Sequence, residues 1–336
     1  MTPYLYIPLA IVILLGGFWV WRNNTRTYPL PQGASQAVST SSSPSANSSR
    51  AIETTDGVLH SIPLDEILSG GPGKDGIPSI DDPRFLSASE AVFLNNSDPG
   101  IGLTVEEESR FYPYRILVWH EIVNDTIKGK PVLVTYCPLC ATGIVFERSV
   151  DGKMQEFGVS GRLWQSNLLM YNRADSEKDE SLWSQVLGEA VVGVHTGKKL
   201  MIIRSDIVRW GDWKKLHPDT KILSTDTGTS RNYGQDPYGD YYTSESVSFG
   251  ANFRDTRLHP KALVQGIEID GTYKAYADDA LKRTGELDDV LAGKNVHVIR
   301  TGVGEVRFEA GGVPLTSIPS FWFSWLAVHP ETELYK

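Results

Sequence analysis

From Tyr4 to Trp21 the chain reads YLYIPLAIVILLGGFWVW, without a single charged residue. An apolar run of this length lies near the lower limit for a membrane-spanning helix. Trp19 and Trp21 fall where an interfacial aromatic belt would sit. No basic residue precedes the run and no small-x-small site follows it, which favours an uncleaved anchor over 1–22 rather than a cleaved signal peptide. The pattern then turns polar. QGASQAVSTSSSPSANSSR (32–50) has no apolar periodicity and reads as a Ser-rich disordered tether, assigned to 23–51. At random-coil dimensions such a stretch spans about 25 Å, so the globular part, 52–336, is expected close to a membrane surface.

Beyond residue 52 the apolar positions come in short runs. Val132–Tyr136 and Val296–Arg300 are β-rich and of strand length, with Ile144–Arg148 and Val306–Phe308 as return strands of hairpins. Gly152, Gly158, Gly161, Gly188 and Gly193 punctuate further short strands. Helical spacing is confined to Ile116–Val123, Arg209–Leu216, Tyr276–Arg283 and Ser320–Val328. The expected fold class is α+β, β-dominated. The aromatic stretch RNYGQDPYGDYY (231–242), broken by Gly and Pro, suits an ordered covering loop.

Two stretches nearly repeat: WGDWKKLHPDT (210–220) and WFSWLAVHPET (322–332). On a helix, positions i, i+3 and i+7 share a face. Trp210, Trp213 and His217 should therefore form one stripe, and Trp322, Trp325 and His329 another, each helix ended by its proline. Upstream, Gly102 pairs with Gly266, Tyr112 with Tyr276, and GKPVLV (129–134) with GKNVHV (293–298), all at an offset of 164 residues. The pattern points to an internal duplication into two pseudo-symmetric half-domains sharing one core, half 1 at about 100–220 and half 2 at about 264–333. The Trp helices are offset by only 112, so half 1 carries 52 extra residues before its own. At the 164 offset Cys137, Cys140 and His120 fall opposite Thr301, Gly304 and Thr284. The framework is doubled; the sulfur and imidazole groups occur only in the first half.

Cys137 and Cys140 are the only cysteines in 336 residues, set at one turn, CPLC. Such a pair can bind a metal, cycle between dithiol and disulfide, or hold a static disulfide. A structural zinc takes four ligands, of which Cys137, Cys140 and His120 supply three; Glu121, His195 or water is left for the fourth. Cu(I) is satisfied by two soft thiolates at low coordination number. TGIVF after Cys140 reads as a strand, unlike the helix N-terminus that activates thioredoxin-type pairs. A soft ion, Cu or Zn, is the leading expectation. The alternatives are a thiol–disulfide oxidoreductase or thiol-dependent transferase, and a non-catalytic structural or partner-binding module with a disulfide. The extra residues hold a second polar cluster, FGVSGRLWQSNLLMYNR (157–173) with SLWSQ (181–185), from which Ser160, Arg162, Arg173, Trp183 and Gln185, together with Glu121, are expected to form the site wall. No acid–His pair is arranged to make Ser160 a nucleophile. His217 and His329, matched across the halves, read as scaffold. The net charge is −9 with no basic stripe, which argues against a nucleic-acid partner.

The series HEIVND, VTYCPLC, FGVSG, LLMY, SLWSQ and W-x-x-W-x-x-x-HP resembles a bacterial and archaeal family catalogued as domain of unknown function 3179, over roughly residues 56–333. This chain departs from that pattern in Ala141-Thr142, where Gly-Ser or Gly-Thr usually follows the cysteines, and in Asn172, where an Asp is usual. The resemblance implies an exported or membrane-anchored protein, and hence an extracytoplasmic domain, although Arg22 and Arg26 would otherwise keep that side of the anchor cytoplasmic. It implies no established reaction.

Overall fold

Among the described residues short, mostly antiparallel strands are the dominant element, with four α-helices of two turns each: α1 Tyr114–His120, α2 Trp210–Leu216, α3 Asp278–Thr284 and α4 Trp322–Val328. The computed structural model describes residues 50–302 and 304–336. The expected anchor (1–22) and nearly all of the tether (23–51) lie outside the described residues. Among the described residues, no helix is long and apolar enough to cross a membrane. The last part of the tether is docked, since Arg50 donates to the Val328 carbonyl at 3.3 Å.

In the first half, strands order as Asp206–Arg209, Pro99–Val105, Glu108–Pro113, Lys221–Leu223 and Phe85–Ser87. In the second, they order as Ile318–Phe321, Leu263–Ile269, Thr272–Ala277 and Glu333–Tyr335. In each sheet the strand that follows the Trp helix pairs parallel, Lys221–Leu223 with Glu108–Pro113 and Glu333–Tyr335 with Thr272–Ala277. Side chains repeat too. A Cβ on Gly102 would meet Trp213 at 2.4 Å, and one on Gly266 would meet Trp325 at 2.3 Å. Only glycine lets the indole lie on the strand. Each indole N–H then donates to a threonine at 2.9 Å, Trp213 to Thr220 and Trp325 to Thr332. Arg110 and Tyr112 both bond Asp125 in the first half, and Lys274 bonds Asp289 beside Tyr276 in the second, again 164 residues on.

The second sheet of each half is a meander. Ile202–Ile203, Thr142–Glu147, Lys130–Cys137 and Ile122–Ile127 make the first; Glu286–Leu291, Lys294–Arg300, Val306–Ala310 and Val313–Leu315 make the second. Their outer faces differ. In the first half that face is apolar, and a seven-stranded sheet covers it, built around Phe157–Trp164, Asn167–Asn172, Ser181–Ser184 and Glu189–Gly193 from the extra residues. In the second half it carries Asp288, His297 and Glu309 and stays open.

The helices begin and end differently from the sequence expectation. α1 runs Tyr114–His120 rather than Ile116–Val123, because Glu121 turns into the left-handed region (φ 60°) and Ile122 already pairs in a strand. α3 starts at Asp278 because Tyr276 and Ala277 still belong to the ladder. Residues 224–262, between the two halves, contain no strand, and their only helical turn is Gly239–Tyr242. This strap lies across the first half.

Candidate functional site

The strand Lys130–Cys137 stops at Pro138, which has no N–H for the ladder. Pro138–Cys140 makes one 3-10 turn with proline in its first position. Ala141 then reverses the chain in the left-handed region (φ 50°, ψ 34°), and Thr142–Glu147 returns, pairing Thr142 with Cys137. Both thiols are therefore held at one hairpin end, yet Cys137 is 2% and Cys140 0% exposed.

Three parts of the molecule close over them. The first is the hairpin from Trp164 to Asn167, whose two-residue turn, Gln165-Ser166, has φ of 52° and 62°. It aims the Ser166 carbonyl at both sulfurs, 3.3 Å from Cys140 and 3.9 Å from Cys137. Asn167 follows and donates Nδ2–H to Cys140 Sγ at 3.6 Å. Its other Nδ2 proton goes to Gln185 Oε1 (2.9 Å), and its own oxygen accepts from the Val186 N–H (3.0 Å). Gln185 in turn donates to Thr135 Oγ1 and the Thr142 carbonyl, both at 3.0 Å. Asn167 is thus fixed with one N–H left for sulfur. The second part is the strand Ile318–Phe321 with α4 of the other half, which pack Phe321 and Phe323 into the same core and bury the Ser324 hydroxyl near Cys140 without a hydrogen-bond partner. The third is the strap, whose Tyr241 hydroxyl donates to the Leu139 carbonyl at 3.0 Å, with Tyr238 and Tyr242 beside it.

The two thiols are driven apart. Burial pushes Cys137 well above the ordinary thiol range, helped by the hydrogen bond and charge shared with Cys140. Burial also works to raise Cys140, but its neighbours Cys137, Ser324 and the Asn167 donor overcome it and its pKa falls. Cys140 is the sulfur built to carry charge, with Cys137 as proton holder. Behind Cys137, burial and the cysteine's charge push the buried Glu121 carboxyl well above its usual range, against a hydrogen bond from Tyr238. Burial thus favours the protonated Glu121 carboxyl, the form that adds no second negative charge to the compartment.

Residues 74–313 match the family described as "Protein of unknown function (DUF3179)". The chain belongs to this family. No curated protein and no solved structure matches it. This DUF3179 chain uses its characteristic motifs mostly to build the thiol compartment, and several sequence-expected site residues act at one remove from sulfur. His120 makes two hydrogen bonds, neither of them to sulfur. Its Nδ1–H donates to the Pro78 carbonyl (2.7 Å), which leaves Nε2 to accept from the Tyr233 hydroxyl (2.6 Å). Both ring nitrogens are engaged, so His120 ties down the strap rather than completing a metal site with the cysteines. Among the described residues, no group of three His, Cys, Asp or Glu side chains is arranged to hold a metal ion.

Trp183 is buried in the core that holds both cysteines, its Nε1–H on Asn172 Oδ1 at 3.0 Å. Asn172 Oδ1 also accepts from the Ser181 N–H at 2.9 Å, a role its carbonyl oxygen fills as an aspartate would. Ser160 donates to the Leu169 carbonyl and accepts from the Arg162 N–H (3.0 Å), shaping a bulge in its strand. Arg173 binds Asp81 at 2.6 Å and Ser79 at 2.7 Å, which staples the 75–81 loop. Ser166, Asn167 and Ser324 were not singled out from the sequence. Only Ser166-Asn167 carried a local signal, as the polar pair at a hairpin turn; Ser324 is 184 residues from Cys140 and comes to it only through the second half's docking.

Proposed function

We propose that Cys137 and Cys140 form a two-thiolate centre for a soft metal ion, Cu(I), in a membrane-anchored extracytoplasmic protein. The observation that carries this reading is the pair of buried sulfurs held together at one turn, with a positioned N–H donor on Cys140. A hydrogen-bond donor aimed at a buried sulfur stabilises thiolate, the form that binds metal. Zinc would need further ligands, and the ring nitrogens of His120 are engaged by Pro78 and Tyr233. Cu(I) is content with two soft ligands. Two thiolates and Cu(I) leave one net negative charge, which the neutral Glu121 and the Asn167 donor suit. We infer also that the two halves descend from a duplicated unit and that only the first acquired the cysteines, an inference supported by the 164-residue offset shared by the Arg110–Asp125 and Lys274–Asp289 pairs and by the Trp–Thr bond repeated at an offset of 112.

The test is Cu(I) competition against a chromophoric chelator, using the full chain purified in detergent under anaerobic reducing conditions. One equivalent retained by the wild type and lost in both Cys137→Ser and Cys140→Ser supports the reading. No retention overturns it. The split thiol pKa values favour a second reading, thiol–disulfide exchange. Cys140 thiolate would attack a partner disulfide, and Cys137 would resolve the mixed disulfide, leaving an internal disulfide and a reduced partner. A chain that holds no Cu(I) but forms a reversibly reducible Cys137–Cys140 disulfide favours this second reading.

A further inference from the structure

The thiols have no exposed surface worth the name, so an ion or a reagent reaches them only when something moves. Of the three parts that cover them, the one with least structure of its own is the strap, residues 224–262. It has little structure of its own, a single helical turn at Gly239–Tyr242, and it packs Tyr238, Tyr241, Tyr242 and Val247 onto the core that contains both cysteines. Segments with few internal backbone bonds open at lower free energy than the sheets beneath them. Over the cysteine core its hydrogen bonds to the body include Tyr233 on His120 Nε2, Tyr241 on the Leu139 carbonyl, the Ser166 hydroxyl on the Ser248 carbonyl, and the Asn252 N–H on Gln165 Oε1, while its two ends are tied by Arg84 to Asp226 and by the Trp322 indole to Asp255.

One side chain binds the strap in a different way. Lys261 is 5% exposed, and its Nζ donates to the carbonyls of Tyr241 (2.5 Å), Ser244 (2.8 Å) and Ser246 (2.7 Å). It also lies 3.6 Å from the centre of the Tyr241 ring. All three ammonium donors are used on one short stretch, directly over the Cys137–Cys140 turn. The Lys261 backbone belongs to the rigid side: the Pro260 and Ala262 carbonyls on either side accept the N–H groups of Phe323 (2.9 Å) and Trp322 (2.8 Å) at the start of α4. A cation fixed to the second half therefore grips the lid of a centre in the first.

We propose that residues 224–260 form a gate over the cysteine pair and that Lys261 is its latch, controlling how often the thiols become accessible. The gate serves the centre proposed above, but it is tested through the thiols alone, with no metal present, so the two can fail separately. The experiment alkylates the reduced, metal-free full chain with excess maleimide and follows the rate in native buffer and in sub-denaturing urea. Lys261→Met keeps the aliphatic stem and removes the three donors. It should speed alkylation by roughly ten- to a hundredfold, the range expected for losing charge-assisted hydrogen bonds. Wild type and variant should both show a shallow urea dependence, the mark of local opening. An unchanged rate overturns the latch. A urea dependence as steep as that of global unfolding overturns the gate, and this slope remains informative even where Lys261→Met lowers overall stability.

Discussion

At the scale of single residues, the chemistry of the centre depends on where one amide N–H points. Asn167 is held by Gln185 and Val186 so that its remaining proton meets Cys140. Asn167→Leu should raise the pH at which Cys140 reacts with an alkylating agent in the opened protein. It should also destabilise the fold by about 2 kcal/mol, since Gln185 Oε1 and the Val186 N–H lose a partner; an alkylation pH profile and a urea titration read the two effects. The matched histidines give a cleaner pH test. Burial, with the nearby Arg50 charge, lowers His329 from 6.5 to about 3. A histidine kept neutral in the fold takes up its proton on unfolding, so stability is full above pH 6.5 and falls as the pH drops towards 3. By pH 5 the loss should be roughly 2 kcal/mol. His329→Gln should flatten the fall in melting temperature between pH 7 and pH 5. His217→Gln should change it much less, because His217 is only partly buried.

At the scale of elements, the doubled Trp motif works through glycine. Gly102→Ala and Gly266→Ala each force a methyl into an indole, and each should lower stability by up to about 3 kcal/mol in urea titrations. These elements were legible in the sequence because their rules are local. The i, i+3, i+7 spacing of Trp210, Trp213 and His217 specifies a helical face whatever surrounds it. The strand, proline turn and return strand around CPLC follow from β-branched runs and from a missing N–H. The partners of His120 were hidden for a related reason. A histidine beside an apolar run announces a buried imidazole but not its partners, and those partners, Pro78 and Tyr233, are 42 and 113 residues away. The same limit hid Ser324 and Lys261, whose roles exist only after the two halves dock. The end of α1 was misplaced because Ile122 and Val123 continue the apolar helical spacing, whereas pairing with Thr135 and Val134 draws them into a strand.

At the scale of the whole molecule, two similar halves are joined so that each completes what the other lacks. The first supplies the cysteines and the covering sheet; the second supplies Ser324, Phe321, Phe323 and the anchored Lys261. A chain ending at residue 262 should therefore expose its thiols and react with maleimide at the rate of an unfolded peptide, even where circular dichroism still reports strand. The most direct measurement of the two-thiolate centre is Cu(I) competition on the full anaerobic chain across four variants. The proposed two-thiolate centre predicts one tightly held equivalent in the wild type and in His120→Ala, and none in Cys137→Ser or Cys140→Ser. Loss of binding in His120→Ala with its thiols still shielded, or retention in either serine variant, would contradict it.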